Sequence, residues 1–188
     1  MKLRFVLSLL LAMSASSVAK CRPLENADPL WSALDQRYKI IELATFQKDA
    51  KLLFSVYSPT FEAHQFNGQV WKFDQSAAYS TSAFGRVQTN LSMSNTILNL
   101  RLCGADTLMA TVLQQWSRKQ IVSGKERLFQ TTTVQDETWV RIQDKWLRKL
   151  VENERPGAWL VDLKRIDPYR PFDPDAPEFD PHDTKPKS

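Results

Sequence analysis

Apolar residues recur at steps of three and four along the first part of this chain and at steps of two along most of the rest, so a helical opening gives way to a long stranded remainder. Leu30, Trp31, Leu34, Tyr38, Ile41, Leu43 and Phe46 form one stripe, preceded by Asp28 as N-cap and Pro29 at the first helical position. That predicts a long amphipathic helix. Ala50 to Val56, with Leu52, Leu53 and Val56 on one side, reads as a second helix stopped by Ser58-Pro59. From Phe61 to Phe73 the pattern centres on Asn67-Gly68, a strong hairpin signal because both residues tolerate the positive φ of a tight turn. A two-residue turn there sets Phe66 against Gln69, His64 against Trp71 and Glu62 against Phe73, placing all six on one face of the ribbon. Asp74 to about Phe84 reads as a third short helix, released by Gly85.

Three long strands follow, at about Asn90–Leu102, Leu108–Ile121 and Arg127–Ile142, with turn chemistry at Cys103-Gly104-Ala105-Asp106 and Ser123-Gly124-Lys125. A return strand runs from Trp146 to about Glu152 after Asp144-Lys145. Helices, a hairpin and then an antiparallel meander make an α+β layout with the helices packed on one face of a curved sheet. Pro168, Pro171, Pro174, Pro177, Pro181 and Pro186 then exclude helix and inner strand from the tail. Residues 166–188 read as an extended strap, disordered at its end, whose Tyr169, Phe172 and Phe179 touch the domain at 20–165.

Met1 to Ala19 has the layout of a secretory leader: Lys2 and Arg4, an apolar run Phe5–Met13, and small residues at Ser17-Val18-Ala19. Cleavage after Ala19 is expected, giving a secreted or periplasmic protein. The alternative is a membrane anchor, but spanning a bilayer takes about 20 apolar residues. In an oxidising compartment an even cysteine count makes Cys21 and Cys103 a natural disulfide pair, with two free thiols as the alternative. Without Lys2 and Arg4 the 25 basic residues become 23 against 21 acidic ones, a net +2 too mild and too dispersed to argue for nucleic acid. No phosphate loop, nucleophile elbow or metal-ligand cluster is present in the sequence, so no metal and no cofactor are expected.

The long first helix leading into Gln47-Lys48-Asp49-Ala50 and Tyr57-Ser58-Pro59-Thr60-Phe61, the Phe66-Asn67-Gly68 hairpin before a small helix, and the closing Trp139-Val140-Arg141-Ile142-Gln143-Asp144-Lys145-Trp146 together resemble the nuclear transport factor 2-like superfamily, in its secreted SnoaL-like branch. The resemblance covers about Leu30 to Val161. It implies a cone: a strongly bent, mostly antiparallel sheet wrapped around about three N-terminal helices, with an apolar pocket inside and dimerisation often through the sheet. The superfamily holds isomerases, dehydratases and cyclases beside members that only bind or scaffold, so fold alone assigns no activity. The isomerase-type set of an Asp base with Tyr and Asp oxyanion donors does not map here, because Asp136 belongs to a strand end and Asp106 to a turn.

His64, opposite Trp71 and two positions from Glu62, is the first candidate for a general base, with Glu62 beside it; the alternative is a half-buried structural histidine. Tyr38 offers a hydroxyl from the first helix, or is simply core. Tyr38, His64, Trp71, Phe73 and Trp116 are the expected pocket residues, although packing alone would also explain Trp116. A two-residue Asp144-Lys145 turn would set Arg141 against Arg148, with Val140, Ile142, Leu147 and Val151 on the core face. Trp139, Arg141, Trp146 and Arg148 then fall on the outer face, which is a solvated surface, a dimer interface or, more remotely, an anion site. The leading reading is a pocket protein that binds a small apolar or amphipathic ligand, or a protein partner, without turnover. It would be a homodimer with no nucleic acid partner and no membrane attachment once the leader is removed. The alternatives are a metal-independent isomerase, dehydratase or cyclase using His64 or Glu62 as base, and a purely structural homodimer.

Overall fold

The computed structural model describes residues 20–170 and 172–180. The expected leader at 1–19, together with Pro171, Pro181 and Pro186 of the tail, lies outside them. The described chain is an α+β fold in which a long curled sheet wraps three helices. Its elements are β1 (Cys21–Pro23), α1 (Pro29–Gln47), α2 (Ala50–Phe54), β2 (Tyr57–His64), β3 (Val70–Lys72), α3 (Phe73–Arg86), β4 (Val87–Cys103), β5 (Thr107–Val122), β6 (Lys125–Ile142), β7 (Lys145–Val161) and β8 (Lys164–Arg165).

Helix α1 begins where the cap chemistry dictates: the Asp28 carboxylate accepts the Leu30 N–H at 2.9 Å, and Pro29 follows with no donor to lose. It ends with Lys48 in the left-handed region at φ 56°, where the Asp49 N–H closes on the Ala44 carbonyl at 2.9 Å. Leu34, Tyr38, Ile41 and Ala44, spaced three or four apart, form its buried stripe. They pack against Leu100 of β4, Leu108, Ala110 and Val112 of β5, Trp139 of β6 and Trp146 of β7. Asp49 caps α2, which stops at Phe54, two residues short of the expected end. Ser58-Pro59 does not terminate it. These residues lie inside β2, at an irregular stretch of pairing where a strand tolerates proline.

The sheet runs β1-β4-β5-β6-β7-β2-β3, with β8 against β7. Strands β2 and β7 pair in parallel, and the other pairs are antiparallel. Strands of 16 to 18 residues carry several register shifts, and each extra residue bends and twists the ladder. A sheet this long and this bent curls around the helices and leaves a concave inner face. Cys21 pairs with Cys103 in a disulfide that ties β1 to the end of β4 across 82 positions of sequence. No helix among the described residues is long and apolar enough to cross a membrane. The tail folds back: the Phe179 N–H reaches the Arg165 carbonyl at 2.9 Å, Tyr169 meets Phe66 edge-on, and Phe172 meets Phe129.

Both hairpin registers differ from expectation. At Asn67-Gly68 the loop holds three residues, with Gly68 at φ +82° and Gln65 bonded to Gln69, so Ala63 faces Trp71 and His64 faces Val70. A three-residue loop with a left-handed glycine relieves the turn and shifts the pairing by one. That exchanges the faces. Trp71 therefore joins Phe61 and Ala63 inside, while His64 and Glu62 lie outside. In the closing ribbon the turn is Gln143-Asp144, at φ 47° and 62°, so Arg141 faces Trp146 and Trp139 faces Arg148. The pairing shift is by two, so Trp139, Trp146 and Arg148 do share a face, but that face is the interior. Trp139 is 0% exposed, Arg148 3% and Trp146 7%. Ile142, expected in the core, is 41% exposed. Val151 turns inward only because the ladder shifts between Thr138 and Trp139, leaving one extra residue on β7.

Candidate functional site

The concave face of the sheet encloses a cavity of about 220 Å³ between α1, α2, α3 and strands β2 to β7. Its walls are mostly aromatic and aliphatic: Phe54, Tyr57, Phe61, Trp71, Phe84 and Trp116. Polar residues are set among them, as small-molecule sites require for orientation. They include Gln114, Gln135, Arg148 and Glu154 from the sheet, Ser76 and Ser80 from α3, and Thr45 and Gln65.

The floor is built on one carboxylate. Glu137 on β6 is 2% exposed and accepts three hydrogen bonds, from Tyr38 Oη at 2.7 Å and Trp139 Nε1 at 2.8 Å on Oε2 and from Gln135 Nε2 at 2.6 Å on Oε1, where Arg148 Nη2 also stands as a charge partner at 3.1 Å. Alternation brings Gln135, Glu137 and Trp139 to the same side of β6, and the antiparallel register sets Arg148 of β7 directly opposite Trp139. Three hydrogen bonds and one ion pair compensate the carboxylate for its burial. Arg148 balances that charge. Burial opposes its ionisation, but Glu137, Tyr57 and Tyr38 outweigh burial and hold the guanidinium above its ordinary range. Burial first, and then the Glu137 charge, pushes the Tyr38 hydroxyl well up, so it stays a donor.

Arg148 Nη1 donates to Tyr57 Oη at 2.9 Å, and its guanidinium lies 5.1 Å from the Tyr57 ring and 5.3 Å from that of Trp139. Among the described residues its Nε has no hydrogen-bond partner, and its Nη2 meets Glu137 as a charge contact rather than an aligned bond. Ser76 Oγ and Glu154 Oε2 are also buried without a hydrogen-bond partner. All three residues face the cavity. Burial raises the Glu154 carboxyl above its usual range, partly offset by the Phe66 backbone N–H.

Two further groups touch Trp116 of the wall. Asn90 accepts from Trp116 Nε1 at 2.8 Å and donates to the Thr45 carbonyl at 2.6 Å, locking Trp116 to the end of α1. Arg118, two residues on along the same face of β5, stacks 3.9 Å from the centre of the Trp116 ring and, among the described residues, hydrogen-bonds only Thr131 Oγ1, at 3.2 Å. Burial pulls its guanidinium down to about 10, with Tyr79 and Arg86 near enough to act on it electrostatically.

Of the residues expected from sequence, Trp71 and Trp116 line this cavity, and Tyr38 lies beneath it, bound to Glu137. Phe73 opens α3 and packs edge-on against Phe54 outside the lining. His64 and Glu62 do not reach the cavity: they face solvent as a 3.8 Å pair with side chains 45% and 46% exposed. Arg141 is exposed and bonds Asp144 at 2.7 Å, whereas Trp139, Trp146 and Arg148 are interior rather than on the outer face. Glu137, Gln135, Glu154 and Arg118 went unassigned. The signal for Gln135 and Glu137 is their run of alternate positions with Trp139, which is inward despite its polarity.

No protein-family model matches the chain, and no curated protein matches it. Solved structures do. A hexachlorocyclohexane dehydrochlorinase of type 2 superposes with a TM-score of 0.57 at 12% identity, covering 78% of this chain and 95% of its own. A provisionally assigned scytalone dehydratase from Novosphingobium aromaticivorans gives 0.60 at 9%, covering 70% and 86%. A nuclear transport factor 2-like superfamily protein from Salmonella enterica serovar Typhimurium gives 0.54 at 13%, covering 68% and 90%. At such identities the likeness is one of architecture. The curled sheet around three helices and these superpositions together establish that the chain has the nuclear transport factor 2-like fold.

Proposed function

We propose that this protein binds a small, largely apolar molecule bearing hydrogen-bonding atoms in its concave cavity, without turning it over. One observation carries the reading: inside aromatic walls, Ser76 Oγ, Arg148 Nε and Glu154 Oε2 are all buried and unbonded. A buried polar group left unpaired costs about 1–3 kcal/mol, so three in one cavity are paid for only if something joins them. An apolar cavity of about 150 Å³ takes benzene. One of about 220 Å³ suits a somewhat larger molecule. The disulfide fits an oxidising compartment, and secretion belongs to the same proposal. Self-association through the sheet would use its outer residues, Leu98 and Ile142, rather than the interior tryptophans.

The test is a titration with 2-naphthol, followed by quenching of tryptophan fluorescence, beside native mass spectrometry of the purified protein for a carried molecule. Saturable quenching, abolished by Ala63→Leu, which extends into the cavity, is expected. Equal quenching in a folded Ala63→Leu variant would place the probe elsewhere and sink the reading. A reaction remains the second reading because Glu154 sets a carboxyl inside the cavity, where relatives of this fold carry dehydratase and dehydrochlorinase names. Turnover would show as loss of a supplied β-hydroxy ketone, abolished by Glu154→Gln.

A further inference from the structure

The charges on the concave face do not cancel. Glu137 and Arg148 neutralise each other at the floor, at 3.1 Å and with side chains 0% and 4% exposed. Glu154, the remaining acid on the lining, is pushed toward its neutral form by burial. Arg118 is left over. Its one hydrogen bond is to a threonine hydroxyl, and among the described residues no carboxylate stands within ion-pair distance of it. A desolvated guanidinium ordinarily sits against a carboxylate or phosphate. Here it is held instead by the Trp116 face at 3.9 Å and the Phe129 ring at 5.5 Å. The stacking fixes the plane of the guanidinium while leaving edge donors free.

Its position gives the excess charge a use. Trp116 lines the cavity, and so does Tyr79, which is 53% exposed and stands where the cavity meets solvent. Arg118 lies beside both, and Arg86, exposed in the last turn of α3, adds a second positive charge on the same side. A molecule whose apolar body fills the aromatic cavity would bring a polar end out at this point.

We propose that the ligand is an anionic amphiphile, its ring or short chain seated against Trp71 and Trp116 and its oxyanion held by Arg118 at the cavity mouth, with Arg86 assisting. Arg118 rather than Arg148 is the anchor, because Arg148 already has Glu137 and an anion there would meet that carboxylate. The inference rests on the cavity being a ligand site, and the experiment separates the two.

Three probes share one ring system: 2-naphthoate, 2-naphthalenemethanol and 2-naphthylmethylammonium, each titrated against the intact protein by tryptophan quenching. The carboxylate is expected to bind about tenfold or more tighter than the alcohol and the ammonium more weakly than either, with the carboxylate's advantage shrinking as salt rises. Arg118→Gln should remove that advantage while leaving the alcohol's affinity in place, Arg118→Lys should keep part of it, and Arg86→Gln should trim it slightly. If carboxylate and alcohol bind alike in the unaltered protein, the headgroup site is refuted and the cavity reading stands. If no probe binds, both fail. Carboxylate selectivity that survives in folded Arg118→Gln also overturns the assignment. The comparison in unaltered protein decides the matter even if that variant does not fold.

Discussion

Two acid–base pairs occupy opposite faces of one sheet, and their environments differ more than their distances. Glu137 and Arg148 meet at 3.1 Å with side chains 0% and 4% exposed. Glu62 and His64 stand at 3.8 Å with side chains 46% and 45% exposed. Outside, water screens both partners and holding them together costs side-chain freedom, so such pairs contribute roughly 0–1 kcal/mol. Inside, neither side chain has water to fall back on, and three hydrogen bonds and the Arg148 guanidinium converge on one carboxylate. The pair that looks catalytic in sequence, a histidine beside a glutamate, is therefore the one that faces solvent, away from the cavity. The pair that looked like a solvated arginine face organises the interior.

Removing one buried partner should show this most sharply. Arg148→Met strands the Glu137 carboxylate among apolar residues, and a loss of about 3–5 kcal/mol is expected, read as the shift in denaturant midpoint at constant slope. Combining it with Glu137→Gln should restore part of the loss, since the stranded charge is then gone. Strict additivity of the two changes would mean that they do not act as a pair. Tyr38→Phe is milder. It deletes the 2.7 Å bond to Glu137 but leaves Trp139, Gln135 and Arg148 in place, so about 1.5 kcal/mol, the lower end for a bond to a charged group, is expected from the same measurement.

The interior pair also shows where sequence stops informing. Helix α1, its Asp28 cap and the meander of long strands were readable because apolar spacing and cap chemistry are local properties. The inside of the sheet was not. On β6 the inward positions from Phe129 to Trp139 include Thr131, Thr133, Gln135 and Glu137, whereas the outward ones include Val134 and Val140. Sorting faces by hydrophobicity inverts them, because a cavity wall with its own hydrogen-bond network is polar without being wet. The hairpins failed for a second reason. One additional loop residue at Gly68 exchanged the faces of Trp71 and His64, and turn length follows from backbone geometry that Asn67-Gly68 alone leaves open. Glu154 and Arg118 gain meaning only through neighbours far away in sequence.

Glu154 sharpens the comparison through pH, being a half-buried acid with no ion pair among the described residues. Burial raises its folded-state value, with the Phe66 N–H acting weakly against that. Between the ordinary carboxylate value of about 4.5 and the raised one, the folded protein keeps a proton that the unfolded chain has released. Stability from this group is thus full below the ordinary value and declines as pH climbs through the raised one. Glu154→Gln should flatten that decline, so the stability difference between variant and parent should grow in the variant's favour from pH 4 toward neutrality. A constant offset across that range would show that the carboxyl titrates no differently in the fold.

His64→Ala should do least. The side chain is 45% exposed, its partner Glu62 equally so, and the strand beneath them is fastened by backbone pairing of His64 with Val70 and of Ala63 with Trp71, none of which uses the imidazole. Loss of an exposed pair and of some surface contact is expected to fall within about 0.5 kcal/mol by denaturant midpoint. Because the residue projects from the side opposite Trp71, naphthoate affinity should be unchanged as well. A large fall in that affinity with stability intact would mean that the imidazole reaches the ligand, which requires the hairpin to take the two-residue turn and return His64 to the face of Trp71. The smallest expected effect is thus the most direct check on which way the β2–β3 ribbon faces.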